Sequence, residues 1–211
     1  MKYIVALDCD CVLNNLIERT CQMFNERYSA DISEETFTQY DVYKCLSFED
    51  AEKFKALWHE RELWDSLSPT YHSQWGAKKL VDDGFSVYIA TSTHYENFPW
   101  KVEWLKHYFK FIDERHIICI GDKSILNVDV MVDDHTDNLI NNLHCNRVLV
   151  EKPWNMNVHD EAYSIKRCTN WDEIVEAVEE FYKQDKELMN CLLYTSPSPR
   201  DRTRSRMPSS A

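Results

Sequence analysis

Apolar residues gather in short runs along this chain: Tyr3-Ile4-Val5-Ala6-Leu7 first, then 85–90, 116–120, 128–132 and 147–150. Each run is four to six residues long and bounded by polar positions, which predicts strands. Between them the apolar spacing lengthens toward 3.6 residues. Helices are predicted over 13–28, over 71–82 with Asp83-Gly84 as a stop, and over 98–109 with Pro99 in the first turn. In the last of these Trp104, Leu105, Tyr108 and Phe109 share one face. Two more follow at 136–143 and 171–188, the second behind Asn170 as N-cap. Strands alternating with helices predict a parallel sheet covered on both faces.

Residues 14–70 interrupt that alternation. They carry Phe24, Tyr28, Phe37, Tyr40, Tyr43, Phe48, Phe54, Trp58 and Trp64 in helical spacing, with no strand pattern. The expected arrangement is an α/β core from 1–13 and 71–190, with 14–70 as a small helical cap inserted after strand 1. Ligands of open α/β sheets bind outside the carboxyl ends of the strands. The insertion is therefore placed as a lid over whatever follows the first strand.

Four chemically notable features stand where predicted strands run out. Asp8 and Asp10 follow the first, Thr91-Ser92 the second, Lys123 the third and Asp133-Asp134 the fourth. Each alone is commonplace: an Asx turn, a helix cap, a solvated lysine, or acids at a helix N-terminus. In a parallel sheet, however, all four reach one edge, and their types are complementary. A phosphate monoester carries about two negative charges near neutrality, so a carboxylate nucleophile needs a cation to approach it. Oxygen ligands from Asp8, the Asp10 backbone and the 133–134 pair suit Mg²⁺. Lys123 would neutralise a phosphoryl oxygen, and the Thr91 and Ser92 hydroxyls would donate to others. Asp10 would protonate the leaving alkoxide and later deprotonate the water that cleaves an aspartyl-phosphate.

Residues 191–211 stand apart. Back-translated, 191–201 resembles the transposon-end adapter of sequencing libraries and 205–211 its downstream part, so this stretch is expected to be a non-native tail. Without it the chain has 20 basic and 35 acidic side chains, a net of −15. Such a charge excludes long nucleic acid as a partner held by phosphate neutralisation, but not a small phosphorylated molecule held through a metal. Seven cysteines remain outside the tail, an odd number without metal-ligand spacing. Cys9 and Cys11 are expected to point away from the Asp side chains as packing thiols in a reducing compartment. The apolar N-terminus is too short for a signal peptide or membrane span, so a cytoplasmic protein without a membrane partner is expected. His94 and His135 lie just beyond the Thr-Ser and Asp-Asp pairs, in expected solvated or capping roles.

The motif set resembles the haloacid dehalogenase superfamily of phosphotransferases. Asp8-Cys9-Asp10-Cys11-Val12 is similar to its first motif, Thr91 to the second, Lys123 to the third and Asp133-Asp134 to the fourth. Within it, residues 2–150 look most like the 5′(3′)-deoxyribonucleotidases, with Lys152-Pro153-Trp154-Asn155 in further support. The resemblance implies a Rossmann-like three-layer α/β/α core and a Mg²⁺-dependent hydrolase that releases phosphate from nucleoside monophosphates, with a homodimer compatible. It implies Asp8 as nucleophile, Asp10 as acid/base and Thr91, Ser92 and Lys123 as phosphate ligands. Asp8, Asp10 and Asp134 would serve the metal, supported by Asp133. Cys11 replaces a usual Gly, and Leu16 stands where a base-stacking aromatic is common, which turns attention to Trp58 and Trp64 as base contacts. Other readings are another small phosphoester as substrate, a phospho-acceptor receiver, or a nucleotide-binding module without turnover. A receiver would not have its acidic pair last or an insertion this long after strand 1. A dead module would not keep both Asp8 and Asp10.

Overall fold

The computed structural model describes residues 2–195. Six parallel strands form one sheet: β1 (Ile4–Leu7), β2 (Ser86–Thr91), β3 (Ile117–Cys119), β4 (Val130–Asp133), β5 (Asn146–Val150) and β6 (Lys166–Cys168), in the order β3-β2-β1-β4-β5-β6. The chain builds outward from β1 to β3, then crosses back to β4 on the other side of β1. Ala6 is in register with Tyr88 of β2 and Met131 of β4. The order reverses between β1 and β4, and that junction is where an open α/β sheet leaves a crevice.

Alternation along the strands builds two cores. Val130 and Val132 join Val5, Leu7, Val148 and Val150 against α4 (Ser73–Asp82) and α7 (Trp171–Thr195). Met131 and Leu149 point the other way, to Leu139 of α6 (Thr136–Ile140) and Ile165. Both faces of β4 are thus buried, as a strand between helical layers requires. Gly84 ends α4 with φ +92°, a conformation that favours glycine. Asn170 Oδ1 accepts from the Glu173 amide at 3.0 Å and caps α7. No helix among the described residues is long and apolar enough to cross a membrane.

Four details differ from the sequence pattern. β6 was not predicted, because Lys-Arg-Cys offers no apolar run; it is an edge strand paired with β5 alone. Helix α1 (Leu16–Tyr28) starts three residues later than the apolar spacing suggests. Asn14 Oδ1 accepts from the amides of Cys11 and Leu16 at 3.2 and 3.1 Å, so residues 11–14 close a turn instead. Helix α6 stops at Ile140 because Asn142, fully buried, turns its amide to the carbonyls of Lys123 and Leu126. Helix α7 runs to Thr195, and 196–211 of the adapter-like tail lie outside the described residues.

Between β1 and β2 the chain forms α1, α2 (Phe48–Leu57) and α3 (Arg61–Asp65), with two single 3₁₀ turns. Asn14 and Pro69 pair where this segment leaves and rejoins the sheet, and Thr70 N–H donates to Leu13 O at 2.9 Å. The segment has its own aromatic interior: Phe54 lies 5.1 Å from Phe37 and 5.8 Å from Phe24, ring centre to ring centre, and all three are buried. Packed against α3, α5 (Phe98–Tyr108) buries Trp104, whose indole donates to Leu67 O at 3.0 Å and ties the segment's exit to the core.

Helices α4 and α7 meet at Gly76 and Trp171. The Trp171 indole N–H reaches the Val12 carbonyl at 3.3 Å, so this seam also braces the loop after β1. A Cβ on Gly76 would stand 2.3 Å from Trp171 Cε3. Alanine is the better helix former by roughly 1 kcal/mol, but overpacking a filled core costs about 1–3 kcal/mol. Gly76→Ala should therefore lower the urea midpoint with the slope unchanged. A variant as stable as the parent would contradict the tight seam.

Candidate active site

The site is assembled by backbone geometry at the β1/β4 junction. The Asp8 amide donates to Val132 O at 2.9 Å, extending the ladder one residue past β1 and setting Asp8 beside Asp133. The chain then turns: Leu13 and Asn14 amides both donate to Cys9 O, and Cys11 takes φ 58°. A side chain at that angle is strained, which accounts for the glycine common in the resembling motif. Because the backbone has left the extended state, Cys11 lines the same cavity as Asp8 and Asp10. Cys9 and Cys11 are both buried in the core as packing thiols, and the turn adds Cys11 to the cavity wall, which alternation along an extended strand does not predict.

Lys123 is brought in by its own local structure. Asp122 Oδ1 accepts from the Ser124 amide at 3.0 Å and hydroxyl at 2.6 Å, starting one 3₁₀ turn over 123–125. Asn142 holds the Lys123 carbonyl at 3.1 Å. The ammonium, 2 % exposed, then donates to Asp8 Oδ1 at 2.5 Å and Asp133 Oδ2 at 2.6 Å. Asp133 is fully engaged: Oδ1 also accepts from the His135 amide at 2.8 Å, and Asn138 Nδ2 reaches both oxygens. Among the described residues Asp134 accepts only at Oδ2, from the Trp154 indole at 3.0 Å, which leaves Oδ1 open.

One oxygen from each of Asp8, Asp133 and Asp134 lies within 4.8 Å of the others. Burial pushes the Asp8 carboxyl up to about 6, with Lys123 opposing and Asp133 and Asp10 adding to the rise. Burial likewise holds Asp134 well above the usual carboxylate range, helped by Asp8 and Asp133. Burial works to lower the Lys123 ammonium, but the two carboxylates outweigh it and raise it. Three buried carboxylates against one ammonium leave an excess of negative charge on hard oxygen donors. That donor set fits a divalent, oxygen-seeking cation.

Asp10, which the sequence reading brings to the metal through its backbone, holds its carboxylate apart from the other three acids. Its Oδ2 accepts from Lys101 Nζ at 2.6 Å and its Oδ1 from Asn14 Nδ2 at 3.0 Å, so its carboxylate is outside the three-acid group. Lys101 was not among the candidates read from sequence. The signal was present: a lysine stands three residues before Trp104 and four before Leu105, on the face that α5 buries. Burial works to lower its ammonium, and Asp10, Cys9 and Asp8 together outweigh that and raise it.

A cavity of about 680 Å³ opens above these groups. Asp8, Asp10, Lys123, Asp134 and Ser92 line it from the core, and Leu16, Ile17, Phe37, Tyr40, Tyr43, Trp58 and Trp64 from the inserted segment. Thr91 is fully buried just behind this wall, accepting from Lys101 at 2.8 Å. Trp58 is half-buried, its indole donating to the Thr20 hydroxyl at 3.3 Å; Trp64 is buried and donates to Trp58 O at 2.8 Å. His94 is exposed and faces His59 with ring centres 5.1 Å apart. His135 stands at the N-cap position of α6, without a side-chain cap bond, and is stacked rather than solvated: Tyr40 lies on it at 3.6 Å with planes 10° apart, and burial lowers its pKa. Phe37, Tyr40 and Tyr43 escaped the list of candidate contacts because aromatic residues in a helical segment are usually core.

The parallel sheet with acids at its switch point and a helical segment above them has the fold of haloacid dehalogenase-like hydrolases. A solved predicted phosphatase from Clostridium acetobutylicum superposes with a TM-score of 0.59 at 13 % identity, covering 85 % of this chain and 99 % of that one. A haloacid dehalogenase-like family hydrolase from Streptococcus pneumoniae gives 0.57 at 9 % identity, covering 83 % and 97 %. The family model described as 5′ nucleotidase, deoxy (pyrimidine), cytosolic type C protein matches residues 2–183, and the chain belongs to that family of phosphoric monoester hydrolases. A 5′(3′)-deoxyribonucleotidase of Bacillus subtilis is 28 % identical over 176 residues, 82 % of this chain and 97 % of that protein. One from Clostridium acetobutylicum is 25 % identical over 150 residues, 71 % of this chain and 82 % of that protein.

The raised carboxyl pKa values fix a sign for pH dependence. Between the ordinary Asp value of 3.8 and about 6, folded Asp8 holds a proton that the unfolded chain has released. Stability without metal is therefore lost as pH rises through that window, by roughly 3 kcal/mol at about 1.4 kcal/mol per unit. Asp134 shifts in the same direction. A divalent cation relieves this only where the acids are ionised. Mg²⁺ should raise the melting temperature clearly at pH 7.5 and little at pH 5, with Asp134→Asn removing most of the gain. An equal gain at both pH values would contradict the site.

Proposed function

We propose that this protein is a Mg²⁺-dependent phosphomonoesterase that dephosphorylates (deoxy)nucleoside monophosphates through an aspartyl-phosphate on Asp8. The observation that carries the reading is the separate anchoring of the two acids of one motif: Asp8 on Lys123, Asp10 on Lys101. Asp8 lines the cavity, and among the described residues its Oδ2 takes no hydrogen bond, as an attacking oxygen requires. Asp10, two residues on, faces the same cavity with its carboxylate held at both oxygens.

In the first half-reaction Asp8 Oδ2 attacks phosphorus and the ester P–O bond breaks. The electron pair of that bond goes to the leaving oxygen, which takes a proton from Asp10. In the second, Asp10 takes a proton from water as the water oxygen bonds to phosphorus. The Asp8–phosphorus bond then breaks and returns the carboxylate. Lys123 offsets charge on the phosphoryl group, and the Ser92 and Thr91 hydroxyls donate to its oxygens. Asp8 and Asp134, with the Asp10 carbonyl, would hold Mg²⁺, which when bound supplies charge neutralisation to the phosphate. Asp133 supports by fixing Lys123; with its lone pairs engaged, it is the poorer ligand of the pair.

Residues 14–70 act as a cap that walls the cavity with aromatic faces suited to a nucleobase. Trp58, half-buried and on the cavity wall, supports base contact better than Trp64, which is buried beside Lys101. The name of the family and those of the relatives from Bacillus subtilis and Clostridium acetobutylicum support deoxynucleotides as substrates. On that reading the partner is a small molecule and the protein is cytoplasmic, a location that the description of its family as cytosolic supports.

Phosphate release from a panel of monophosphates tests the substrate: dUMP or dTMP should turn over faster than sugar phosphates, and the reverse order would sink the nucleotide part. Asp8→Asn should cut kcat by at least ~10³-fold, in line with loss of a nucleophile, with the fold left intact by circular dichroism. Substantial residual turnover would refute the nucleophile assignment.

A further inference from the structure

Lys101 is a full charge with 0 % exposure on an otherwise apolar helix face. Each atom it bonds belongs to the reacting end of the molecule. Its Nζ donates to Asp10 Oδ2 at 2.6 Å, to Thr91 Oγ1 at 2.8 Å and to the Ser92 carbonyl at 3.4 Å, which occupies all three ammonium protons. The Trp64 ring closes over it at 5.3 Å. Fold stability alone is a weak reason for this arrangement, because a buried ion pair is often no better than apolar side chains of the same volume.

The bonding fixes two neighbours. Lysine has no acceptor, so the Thr91 oxygen must accept and its own proton must point elsewhere. Among the described residues this hydroxyl has no acceptor. A buried hydroxyl proton without a partner is costly, and an arriving phosphoryl oxygen would supply one. At Asp10 both oxygens are fixed, Oδ2 by Lys101 and Oδ1 by Asn14, so the plane of the carboxylate is set before substrate binds.

We propose that Lys101 is a positioning residue for phosphoryl transfer, holding Asp10 against the leaving oxygen and turning the Thr91 hydroxyl outward as a donor. The proposal rests on the reading that Asp10 protonates that oxygen. Lys101 itself makes and breaks no covalent bond; the proton passes from Asp10 to the leaving oxygen as the ester bond's electron pair arrives there.

The test separates leaving groups. An alkoxide leaving from a nucleoside monophosphate needs its proton, whereas p-nitrophenolate leaves readily without one. In the full-length protein with Mg²⁺, Lys101→Met should lower kcat/KM for dUMP by about 10²-fold or more, the range for general acid catalysis. The loss with p-nitrophenyl phosphate should be at most about 10-fold, a share assigned to Thr91 on the scale of one hydrogen bond. On an Asp10→Asn background the same change should leave the ratio of the two substrates unaltered. Equal losses on both substrates, or a further change of ratio without Asp10, would overturn the role. If Lys101→Met does not fold, Lys101→Arg, which keeps the charge and displaces it, should move the ratio in the same direction; an unmoved ratio overturns the proposal. A wild-type protein inactive on both substrates would refute the phosphatase reading and this role with it, whereas an active wild type with equal losses refutes Lys101 alone.

Discussion

The ion pair of Lys123 with Asp8 and Asp133 is the interaction on which the site depends. Three carboxylates share a space under 4.8 Å across in the buried junction of β1 and β4. At an effective dielectric of 20, each like-charged pair at that range repels by about 3 kcal/mol. Against a typical folding stability of about 5–15 kcal/mol, such a cluster cannot stand ionised without compensation. One ammonium at 2.5 and 2.6 Å supplies part of it. Protonation of Asp8 and Asp134, or a divalent cation, supplies the rest. The same imbalance that strains the fold without metal makes the site receptive to metal and to a phosphate held beside it.

A second lysine gives the neighbouring acid a different environment. Asp8 and Asp10 are two residues apart, yet they answer to cations from different helical turns, Lys123 after β3 and Lys101 in α5. Asp8 shares its cation with another carboxylate in the crowded cluster. Asp10 shares its cation with a hydroxyl, away from the cluster. Chemistry that needs one acid to attack and another to move a proton requires this kind of separation, and the loop at Cys11 supplies it in three residues. Trp171 and Asn14 brace that loop from α7 and from within.

Much of this was legible in the sequence because parallel topology converts strand ends into neighbours. Apolar runs placed β1 to β5, and the polar residues after the first four of them converge on one crevice. What stayed hidden had physical reasons. β6 is held by its ladder with β5 rather than by apolar burial, so no hydrophobic signal marks it. The turn at Cys11 depends on a left-handed backbone angle that a cysteine does not advertise. Lys101 reads as a solvated lysine until α5 is seen to bury it, and Tyr40 reads as core until it is found against His135. The choice between Asp133 and Asp134 turns on hydrogen bonds to Asn138 and Trp154, which spacing does not encode.

Trapping the phosphoenzyme tests the division of labour most directly. With Asp10 replaced by Asn, a ³²P-labelled aryl phosphate should still transfer its phosphoryl group, because the leaving group needs no proton, while hydrolysis of the product stalls. Rapid quenching and peptide mapping should then find the label on Asp8, accumulated above the level in the wild-type protein. Label on another residue, or none in a variant that releases the phenol, would contradict the account.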